Sequence, residues 1–584
     1  MNYFLAHSKP HTEAILTQFQ WLRAEGFLCD VILEVDGTIF PAHRALLACS
    51  SDYFKAMFKD YTKESKAKVI RLQEVTARGL QLVLDFIYTS WLSLSMETIE
   101  ETLLAATYLQ VIEAIRLCGK YLISHLNLGN CCFSANVAYM FYLADTLASI
   151  EKFILHHLWR LLEFDLDTIG LLELNADSML FVVISEDIPN VKELSLLTLI
   201  LEWLDYDKTR CQYSSRLLSR VRYGLIPLAD LTALFYEYEV LQTPPVKSLV
   251  WSAMDYHNAA HMQPVMQSLQ TTPRNLKEEI ILVGGETDNN EFVTDIFAYN
   301  TNKKKWRSAT QVKEKVRNHC VCVIGNFLYV LGGEIAVSEE NNRENTVTVV
   351  TDAVYRYDPR FNKWMEPARM LERRTQFSCC VLQDRIFAAG GQDENEQLHS
   401  SVEAYDINAD EWRKITDLPH KMHGHASVVC NNVMYLSGGK YAGQLNHTSK
   451  DMYSYNALGG HWIKRAPMTI ARFGHQMAAV DQTIFAFLGM YEPFCDIEKY
   501  DPIQNQWIRL KPLRYDRFCY GMAVLGETIY LIGGKKWQDS QQVPTQNIIA
   551  YDISGDTWEE ISSLPIPLYG VQCDRLQFSE LTDL

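Results

Sequence analysis

Several features that commonly reveal an enzyme or a membrane protein are missing from this sequence. It has no GxxxxGK[ST], GxSxG or HExxH motif, and hence no phosphate-binding loop, nucleophile elbow or zinc-protease helix. No stretch is long and apolar enough to cross a membrane. The N-terminal residues lack the basic region and apolar core of a secretory signal. These absences predict a non-catalytic protein without a cofactor or metal, in the cytoplasm, with the nucleus and the cytoskeleton as further compartments.

Basic residues are also too few for a nucleic-acid-binding protein. The chain of 584 residues has 54 Lys and Arg against 71 Asp and Glu, a net charge of −17. A surface that binds nucleic acid needs the opposite balance, so nucleic acid is not an expected partner. The 14 cysteines form no CxxC pair and lie mostly in apolar runs. This pattern indicates reduced, packed thiols.

The C-terminal half contains a repeat. Six times a Tyr is followed seven residues later by a Trp, and an apolar run ending in a Gly pair precedes five of the six Trp residues. A period of about 50 residues with these marks is typical of a β-propeller. The pairs are Tyr299/Trp306, Tyr357/Trp364, Tyr405/Trp412, Tyr455/Trp462, Tyr500/Trp507 and Tyr551/Trp558.

One further strand follows each Trp, and the last of these indicates how the ring closes. This run, residues 569–577, lies beyond Trp558, whereas the first unit has no such run before Ile280. We therefore expect the C-terminal strand to pair with the first blade and leave no open sheet edge. The six units resemble the Kelch repeat and extend over residues 279–584.

The N-terminal half resembles two other domains. Residues 1–126 resemble an α/β BTB domain through Asp30-Val31, His43-Arg44-Ala45-Leu46-Leu47 and Ser51-Asp52-Tyr53-Phe54. Residues 127–241 have apolar positions at helical spacing. They resemble the all-α BACK domain through Leu128–Cys131 and the stretch from Glu193 to Trp203. The Pro-containing residues 242–278 predict a linker with one short helix near 246–258.

The order of BTB, BACK and six Kelch units resembles the BTB-BACK-Kelch family. This resemblance implies a multidomain adaptor of a cullin-3 RING ubiquitin ligase, with no ubiquitin-transfer chemistry of its own. The BTB domain and the start of BACK would bind cullin-3, and the six-bladed propeller would bind the substrate protein. It also implies a homodimer through the BTB domain, which the amphipathic pattern of residues 11–25 supports. The alternative is an actin-associated Kelch scaffold.

The resemblance places the cullin-binding residues in one segment of the BTB domain. The family has an apolar residue, any residue and then Glu after the Tyr-Phe-x-x-Met-Phe helix. The triplet here is Thr62-Lys63-Glu64, which keeps the Glu but not the apolar residue. Tyr61 is the candidate replacement, and Phe54 is expected to be partly core and partly contact. The predicted cullin-binding residues are thus Phe54, Tyr61, Thr62 and Glu64.

The segment after the Trp of each unit predicts a substrate-binding ring of arginines. In four units it has the pattern Arg-x-x-(His, aromatic or small), and Met422 and Leu568 replace the Arg in the other two. Equivalent blade positions meet on one face, where Arg pairs bidentately with carboxylates. An acidic substrate segment is therefore expected. The alternative is that these arginines bond backbone carbonyls and tie the blades together. The four are Arg317, Arg374, Arg472 and Arg517.

Two smaller features have competing interpretations. His420, His423 and His425 form the only metal-like cluster, but His425 shares its register with His475, which favours packing over metal binding. The second unit carries an acidic insertion at 338–346. It is either a solvated loop or a loop that selects the substrate.

Overall fold

The computed structural model describes residues 9–59, 62–163, 170–289, 291–339, 342–441, 447–457, 459–489, 496–513, 516–539 and 541–579. These residues form two compact units. One contains the residues up to Val221 together with Tyr238–Val246, and the other contains Arg222–Glu237 and the chain from Lys247 onward. No helix of the described segments has the length and apolar character needed to span a membrane.

The first unit begins with an α/β domain on a small sheet, as predicted. Val31–Val35 (β1) pairs antiparallel with Thr38–Ala42 (β2) and parallel with Val69–Arg71 (β3). Asp36 and Gly37 form the hairpin turn between β1 and β2, and both have positive φ. The helices of this domain are Lys9–Ala24 (α1), Arg44–Ser50 (α2), Asp52–Met57 (α3), Ala77–Thr89 (α4), Ile99–Tyr108 (α5) and Ile112–Ser124 (α6).

The rest of the first unit consists of helices joined by short loops in its described residues, as its apolar spacing predicts. Trp203 is buried, and its indole N–H donates to the Leu174 carbonyl at 2.8 Å. The Arg210 guanidinium covers the Trp203 ring at 4.3 Å from its centroid. The helices are Cys131–Met140 (α7), Ala144–Leu161 (α8), Ala176–Ile184 (α9), Glu193–Tyr206 (α10) and Ser214–Leu218 (α11), with 3₁₀ turns at Leu171–Glu173 and Lys208–Tyr213.

The segment predicted as a linker packs on the second blade. The helix expected near 246–258 is present as Val246–Asn258 (α13). The helix before it in the chain is Leu228–Glu237 (α12). Arg356 donates to the carbonyl of Ala260 at 2.8 Å, and Arg360 donates to that of Thr271 at 3.1 Å. Shorter 3₁₀ turns lie at Tyr223–Leu225, Glu239–Gln242 and Ala260–Val265.

Six four-stranded antiparallel sheets form the blades of the propeller. From the inner to the outer strand they are Gln572–Ser579, Leu276–Val283, Asp295–Asn300 and Lys305–Gln311 (blade 1); Cys320–Ile324, Phe327–Leu331, Val354–Asp358 and Lys363–Met365 (blade 2); Ser378–Leu382, Arg385–Ala389, Val402–Asp406 and Glu411–Lys414 (blade 3); Ala426–Cys430, Val433–Ser437, Met452–Asn456 and His461–Arg465 (blade 4); Gln476–Val480, Thr483–Phe487, Ile497–Asp501 and Gln506–Arg509 (blade 5); and Gly521–Leu525, Thr528–Ile532, Asn547–Asp552 and Thr557–Ser563 (blade 6).

The ring closes as the sequence predicts. Gln572–Ser579 is the inner strand of blade 1 and pairs antiparallel with Leu276–Val283 over eight residue pairs. Each inner strand lies beside that of the next blade, and Gln572–Ser579 lies between the inner strands of blades 6 and 2. No blade is therefore left with an open side.

The repeated residues hold each blade together. In every blade the Tyr and the Trp are direct cross-strand partners, as in Tyr405 and Trp412, whose ring centroids are 5.3 Å apart. The Gly pairs have positive φ, with values of 61° at Gly390 and 92° at Gly391. A Cβ on Gly390 would lie only 2.8 Å from the Met422 carbonyl oxygen, so a larger residue does not fit.

Three two-stranded ribbons extend from the Gly-pair end of the blades. One contains the acidic insertion, which forms an antiparallel ribbon and not the loop that we expected, although residues 340 and 341 lie outside the described chain. The consecutive β-branched residues from Thr346 to Val350 favour this strand. The ribbons are Glu334–Glu339 with Asn342–Val350, Lys440–Tyr441 with Met422–His423, and Lys535–Gln538 with Gln541–Pro544; the short strand Val316–Arg317 extends the first.

Candidate partner-binding site at the mouth of the propeller channel

The inner strands surround a channel with a volume of about 1110 Å³. Its wall includes Val321, Cys379 and Val381, and it also contains the carboxyl group of Asp574. Burial raises the pKa of Asp574 to about 7. We call the end of the channel beside the Gly pairs the mouth. The mouth is the part of the channel where side chains from all six blades converge.

Backbone hydrogen bonds join four pairs of neighbouring blades around the channel just inside the mouth. Each blade contributes one residue with left-handed φ, between 50° and 67°. The N–H of Gly424 donates to the Gln376 carbonyl at 2.8 Å, and the N–H of Gly570 donates to the Cys519 carbonyl at 2.8 Å. These bonds join neighbouring blades and fix the mouth residues that precede them. The six residues are Asn318, Gln376, Gly424, Gly474, Cys519 and Gly570.

Arg374 lies inside blade 3 and has no exposed surface. Its guanidinium donates to the carbonyls of Gly390 at 2.6 Å and Ser401 at 3.0 Å, and it pairs with the fully buried Glu403 at 2.8 Å. Its own carbonyl accepts the N–H of Gly333 in blade 2 at 2.8 Å. Arg374 therefore connects blades 2 and 3.

Arg472 and Arg517 occupy the same kind of position. Arg472 pairs with the buried Glu498 at 2.9 Å and bonds the Leu488 carbonyl at 2.8 Å. Arg517 donates to the carbonyls of Leu531 and Asn547, and among the described residues no carboxylate pairs with it. Burial lowers the pKa of Arg517 to about 10. All three arginines are at most 3% exposed.

The burial of these three arginines contradicts the prediction that they bind a substrate, and their bonds to backbone carbonyls of their own blades favour the alternative of a structural role. Their guanidinium groups are buried and already bonded, so a partner cannot reach them. The sequence contained a sign of this. Met422 and Leu568 occupy the same register in the other blades, and both are buried apolar residues. A position that accepts Met and Leu is a core position.

Arg317 was assigned to the wrong register. The second Gly of each pair donates to the carbonyl of the register residue, and in blade 1 that bond, 3.1 Å from Gly285, goes to Val316. Arg317 is therefore one residue further and lies at the mouth, with a side chain that is 30% exposed. It pairs with Glu286 at 2.6 Å and with Glu334 at 2.8 Å. One arginine thus stands between two carboxylates.

The sequence analysis missed two lysines that line the mouth and carry the charge opposite to that of Glu286 and Glu334. The Lys440 ammonium is 3.9 Å from the centroid of the Phe473 ring, and that of Lys535 is 3.5 Å from the centroid of Tyr569. No carboxylate within the described ranges forms an ion pair with either lysine. Both directly follow a Gly pair, as Glu286 and Glu334 do, so comparing the residue after each pair would have revealed them.

His425 is a packing residue, as the register that it shares with His475 predicts. His425 is buried, and its Nε2 lies 3.0 Å from the Ala389 carbonyl. Burial lowers the pKa of His425 to about 3, and it lowers the pKa of His475 as well. His423 is only partly buried and lies 2.9 Å from Gln376 Oε1. The described part of the chain contains no group of three His, Cys, Asp or Glu side chains placed to hold a metal.

The predicted cullin-binding segment divides into core and surface. Phe54 is fully buried against Phe58, so its predicted contact role is contradicted. Thr62 closes the turn after α3, where its hydroxyl donates to the Lys59 carbonyl at 2.9 Å and accepts the Ser65 N–H at 3.2 Å. Glu64 has an exposed side chain. Tyr61 lies outside the described residues.

Three domain families match the chain in the predicted order. The BTB/POZ domain matches residues 19–126, and BACK (BTB And C-terminal Kelch) matches residues 131–235. The KLHDC2/KLHL20/DRC7 Kelch-repeats domain matches residues 241–439 and 378–571. The matches lie on the α/β domain, the helical region and the propeller described above.

Similar proteins extend over almost the full chain. Kelch-like protein 34 of Homo sapiens is 45% identical over 626 aligned positions, which cover 99% of this chain and 97% of that protein. Kelch-like protein 36 of Mus musculus is 30% identical, with 97% of this chain and 92% of that protein covered. Kelch-like protein 26 of Danio rerio is 28% identical, with 98% and 94% covered.

Proposed function

Because the chain belongs to the BTB-BACK-Kelch family of Kelch-like adaptor proteins, we propose that it is a substrate-recognition adaptor of a cullin-3 RING ubiquitin ligase. The observation that carries this proposal is the combination of a BTB domain with a propeller whose mouth has two lysines that form no ion pair with any described residue. An adaptor needs two separate binding surfaces, one for the ligase and one for the substrate. It supplies no ubiquitin-transfer chemistry itself, and its partners determine what is modified.

Cullin-3 binds, in this proposal, at the surface around Glu64. The exposed carboxylate of Glu64 supplies the charged contact, and Thr62 stands where the family has an apolar residue. Phe54 does not contact cullin-3 in this proposal, because its ring is buried and anchors α3 in the core. Replacing Glu64 should therefore weaken binding without disturbing the fold.

The direct test uses purified full-length protein and the N-terminal domain of cullin-3 in calorimetry. Glu64→Ala should weaken binding roughly tenfold, as loss of one central interface contact commonly does, and the melting temperature should stay constant. Glu97→Ala, another exposed acid of the same domain, is the matched control and should bind normally. Absence of binding by both the natural protein and Thr62→Met would sink the cullin proposal.

The substrate binds at the mouth through Lys440 and Lys535. An ammonium above an aromatic ring is only partly compensated, so a carboxylate brought by a partner adds a charge-assisted hydrogen bond. Arg317 contributes less to an acidic partner, since Glu286 and Glu334 already neutralise it. The expected substrate segment carries at least one Asp or Glu and an apolar side chain that contacts Phe473 or Tyr569.

Purification from cells followed by mass spectrometry tests the substrate site. Lys440→Ala combined with Lys535→Ala should remove the substrate proteins and retain cullin and RING subunits. Lys305→Ala, an exposed lysine on the outer strand of blade 1, should retain both groups. Recovery of actin or other filament proteins without cullin would instead support the cytoskeletal scaffold.

A homodimer through the BTB domain is also part of the proposal. Apolar side chains on and after α1 are more exposed than a monomer requires, with Trp21 at 56%, Phe27 at 57% and Leu28 at 67%. Light scattering of the full chain should give a dimer mass, and Trp21→Arg should reduce it to that of a monomer. Trp251→Arg, at a similarly exposed Trp of α13, should leave the dimer intact. A monomeric natural protein at micromolar concentration would refute this part.

A further inference from the structure

Three thiols meet where the inner strands of blades 2 and 3 lie side by side. Cys320 and Cys322 project from the same face of Cys320–Ile324, because buried and half-buried residues alternate along this strand. Cys379 belongs to the neighbouring strand, Ser378–Leu382. Its thiol donates to the Val321 carbonyl at 3.3 Å, and that of Cys320 donates to the Phe377 carbonyl at 3.2 Å. Cys379 is thereby placed opposite Val321, between the two other cysteines.

The three thiols differ in access and in acidity. All three line the channel, where Cys379 is half-buried and Cys320 and Cys322 are 8% and 5% exposed. Hydrogen bonds from the thiols of Cys320 and Cys322 lower the pKa of Cys379 to about 5. Burial raises the pKa of Cys320, and the hydrogen bond to Cys379 together with burial raises that of Cys322. The most accessible of the three thiols is thus also the most acidic.

We propose that Cys379 is a peroxide-reactive cysteine on the channel wall and that Cys320 or Cys322 resolves it into a disulfide between blades 2 and 3. The inference does not depend on the proposed adaptor function. It assigns a modification site to a channel whose mouth has a separate binding role. The oxidant is a hydroperoxide small enough to enter the channel, and hydrogen peroxide is the simplest member of that class.

The chemistry balances with the peroxide as the only co-reactant. The Cys379 thiolate attacks one peroxide oxygen, the O–O bond breaks, and hydroxide leaves a sulfenic acid on Cys379. The sulfur of Cys320 or Cys322 then attacks the Cys379 sulfur and the S–O bond breaks. The hydroxide that leaves accepts the proton of the resolving thiol and becomes water. The two thiols lose two electrons and two protons, and the peroxide is reduced to two water molecules.

Cys380 is a matched internal control. It is the next residue on the same strand, but its side chain packs with blade 4 residues such as Met434 and Leu436. It is 8% exposed, and burial raises its pKa. Cys380 therefore has the same backbone environment as Cys379 without the two thiol neighbours. A reagent that merely penetrates the inner strands would modify both cysteines.

The experiment treats the full-length protein with hydrogen peroxide, alkylates the remaining thiols and maps the cysteines by mass spectrometry. We expect a disulfide between Cys379 and either Cys320 or Cys322, with loss of two hydrogen atoms. Without peroxide, Cys379 should react with iodoacetamide at least roughly ten times faster than Cys380, as a thiolate does compared with a buried thiol. Equal reaction of Cys379 and Cys380, or loss of Cys320 and Cys322 thiols in Cys379→Ser, would overturn the proposal.

A second variant keeps the proposal testable if Cys379→Ser does not fold. In the double variant Cys320→Ser with Cys322→Ser, the sulfenic acid on Cys379 has no resolving thiol and should accumulate. Dimedone, which reacts with sulfenic acids, should then label Cys379 in this variant and much less in the natural protein. Cys380→Ser should form the disulfide normally. No dimedone adduct on Cys379 in the double variant would contradict the mechanism.

Discussion

Arg374 and Arg517 occupy equivalent buried positions but leave different groups behind when they are removed. Arg374→Met leaves the fully buried Glu403 without its ion-pair partner. An unpaired buried carboxylate should lower the free energy of unfolding by about 3–5 kcal/mol. Arg517→Met leaves only the Leu531 and Asn547 carbonyls. Its cost should therefore be clearly smaller. Urea unfolding followed by Trp fluorescence measures both, and equal losses would refute this difference.

Buried histidines make the stability of the propeller depend on pH. The pKa of His425 falls from 6.5 to about 3 because burial opposes its charged form. The unfolded chain therefore binds a proton below about pH 6.5 that the folded chain rejects, and stability falls as the pH drops toward 3. His425→Phe introduces the residue found at the equivalent position of blade 3, Phe377. In this variant the urea midpoint should decrease less between pH 7 and pH 4.5 than in the natural protein. An unchanged slope would show that His425 is not the titrating group.

Residue identity alone could not separate binding arginines from structural ones. The sequence shows that Arg374 recurs at a blade position, but burial depends on which carboxylate lies beside it, here Glu403 from a strand 29 residues away. Arg317 was misassigned by one position, and a shift of one residue moves a side chain from the core to the mouth. Phe54 was placed partly on the surface because the helix pattern does not show how deeply α3 packs.

A comparison of equivalent strands in blades 3 and 4 shows which residues can replace the buried ion pair. The position of Glu403 is occupied by Tyr453 in blade 4, where Met422 replaces Arg374, and both lie in one apolar cluster. We therefore expect Arg374→Met combined with Glu403→Tyr to recover about half or more of the stability lost in Arg374→Met, since coupled residues are not additive. The double-mutant cycle is measured by urea unfolding. Additive losses would show that the pair is not exchangeable between blades.

Strands and helices with strong local patterns were predicted well. The Tyr and Trp of each repeat are cross-strand partners, and the helix expected near 246–258 is present as α13. The ribbon Glu334–Glu339 with Asn342–Val350 was missed because its acidic, polar tip is typical of a loop. Its pairing depends on the fixed ends supplied by blade 2, and such support is not visible in a local sequence window.

Closure of the propeller was predictable because it follows from counting strands. One strand was missing at the start of the repeats and one was left over at the end, so pairing them removes both open edges. The binding surface at the mouth was less predictable. It depends on which residues of six blades converge, and this requires the register of every inner strand. Lys440 and Lys535 become neighbours of one channel only after the ring is formed.

The closing strand gives the last prediction, which concerns the propeller as a whole. Removal of residues 572–584 deletes the inner strand of blade 1 and exposes the edge of Leu276–Val283 along eight paired residues. The gap also opens the channel wall between blades 6 and 2. We expect the truncated protein to lose the cooperative unfolding of the propeller in calorimetry and to aggregate through the free edge.

Removal of residues 580–584 alone is the matched control, because it leaves the closing strand complete and should unfold like the full chain. A synthetic peptide of residues 570–579 added to the longer truncation should restore part of the transition, since the ladder it rebuilds needs no covalent connection. The dimer that we propose through α1 should persist in both truncations. A cooperative transition at the normal temperature without residues 572–584 would mean that the ring is stable while open.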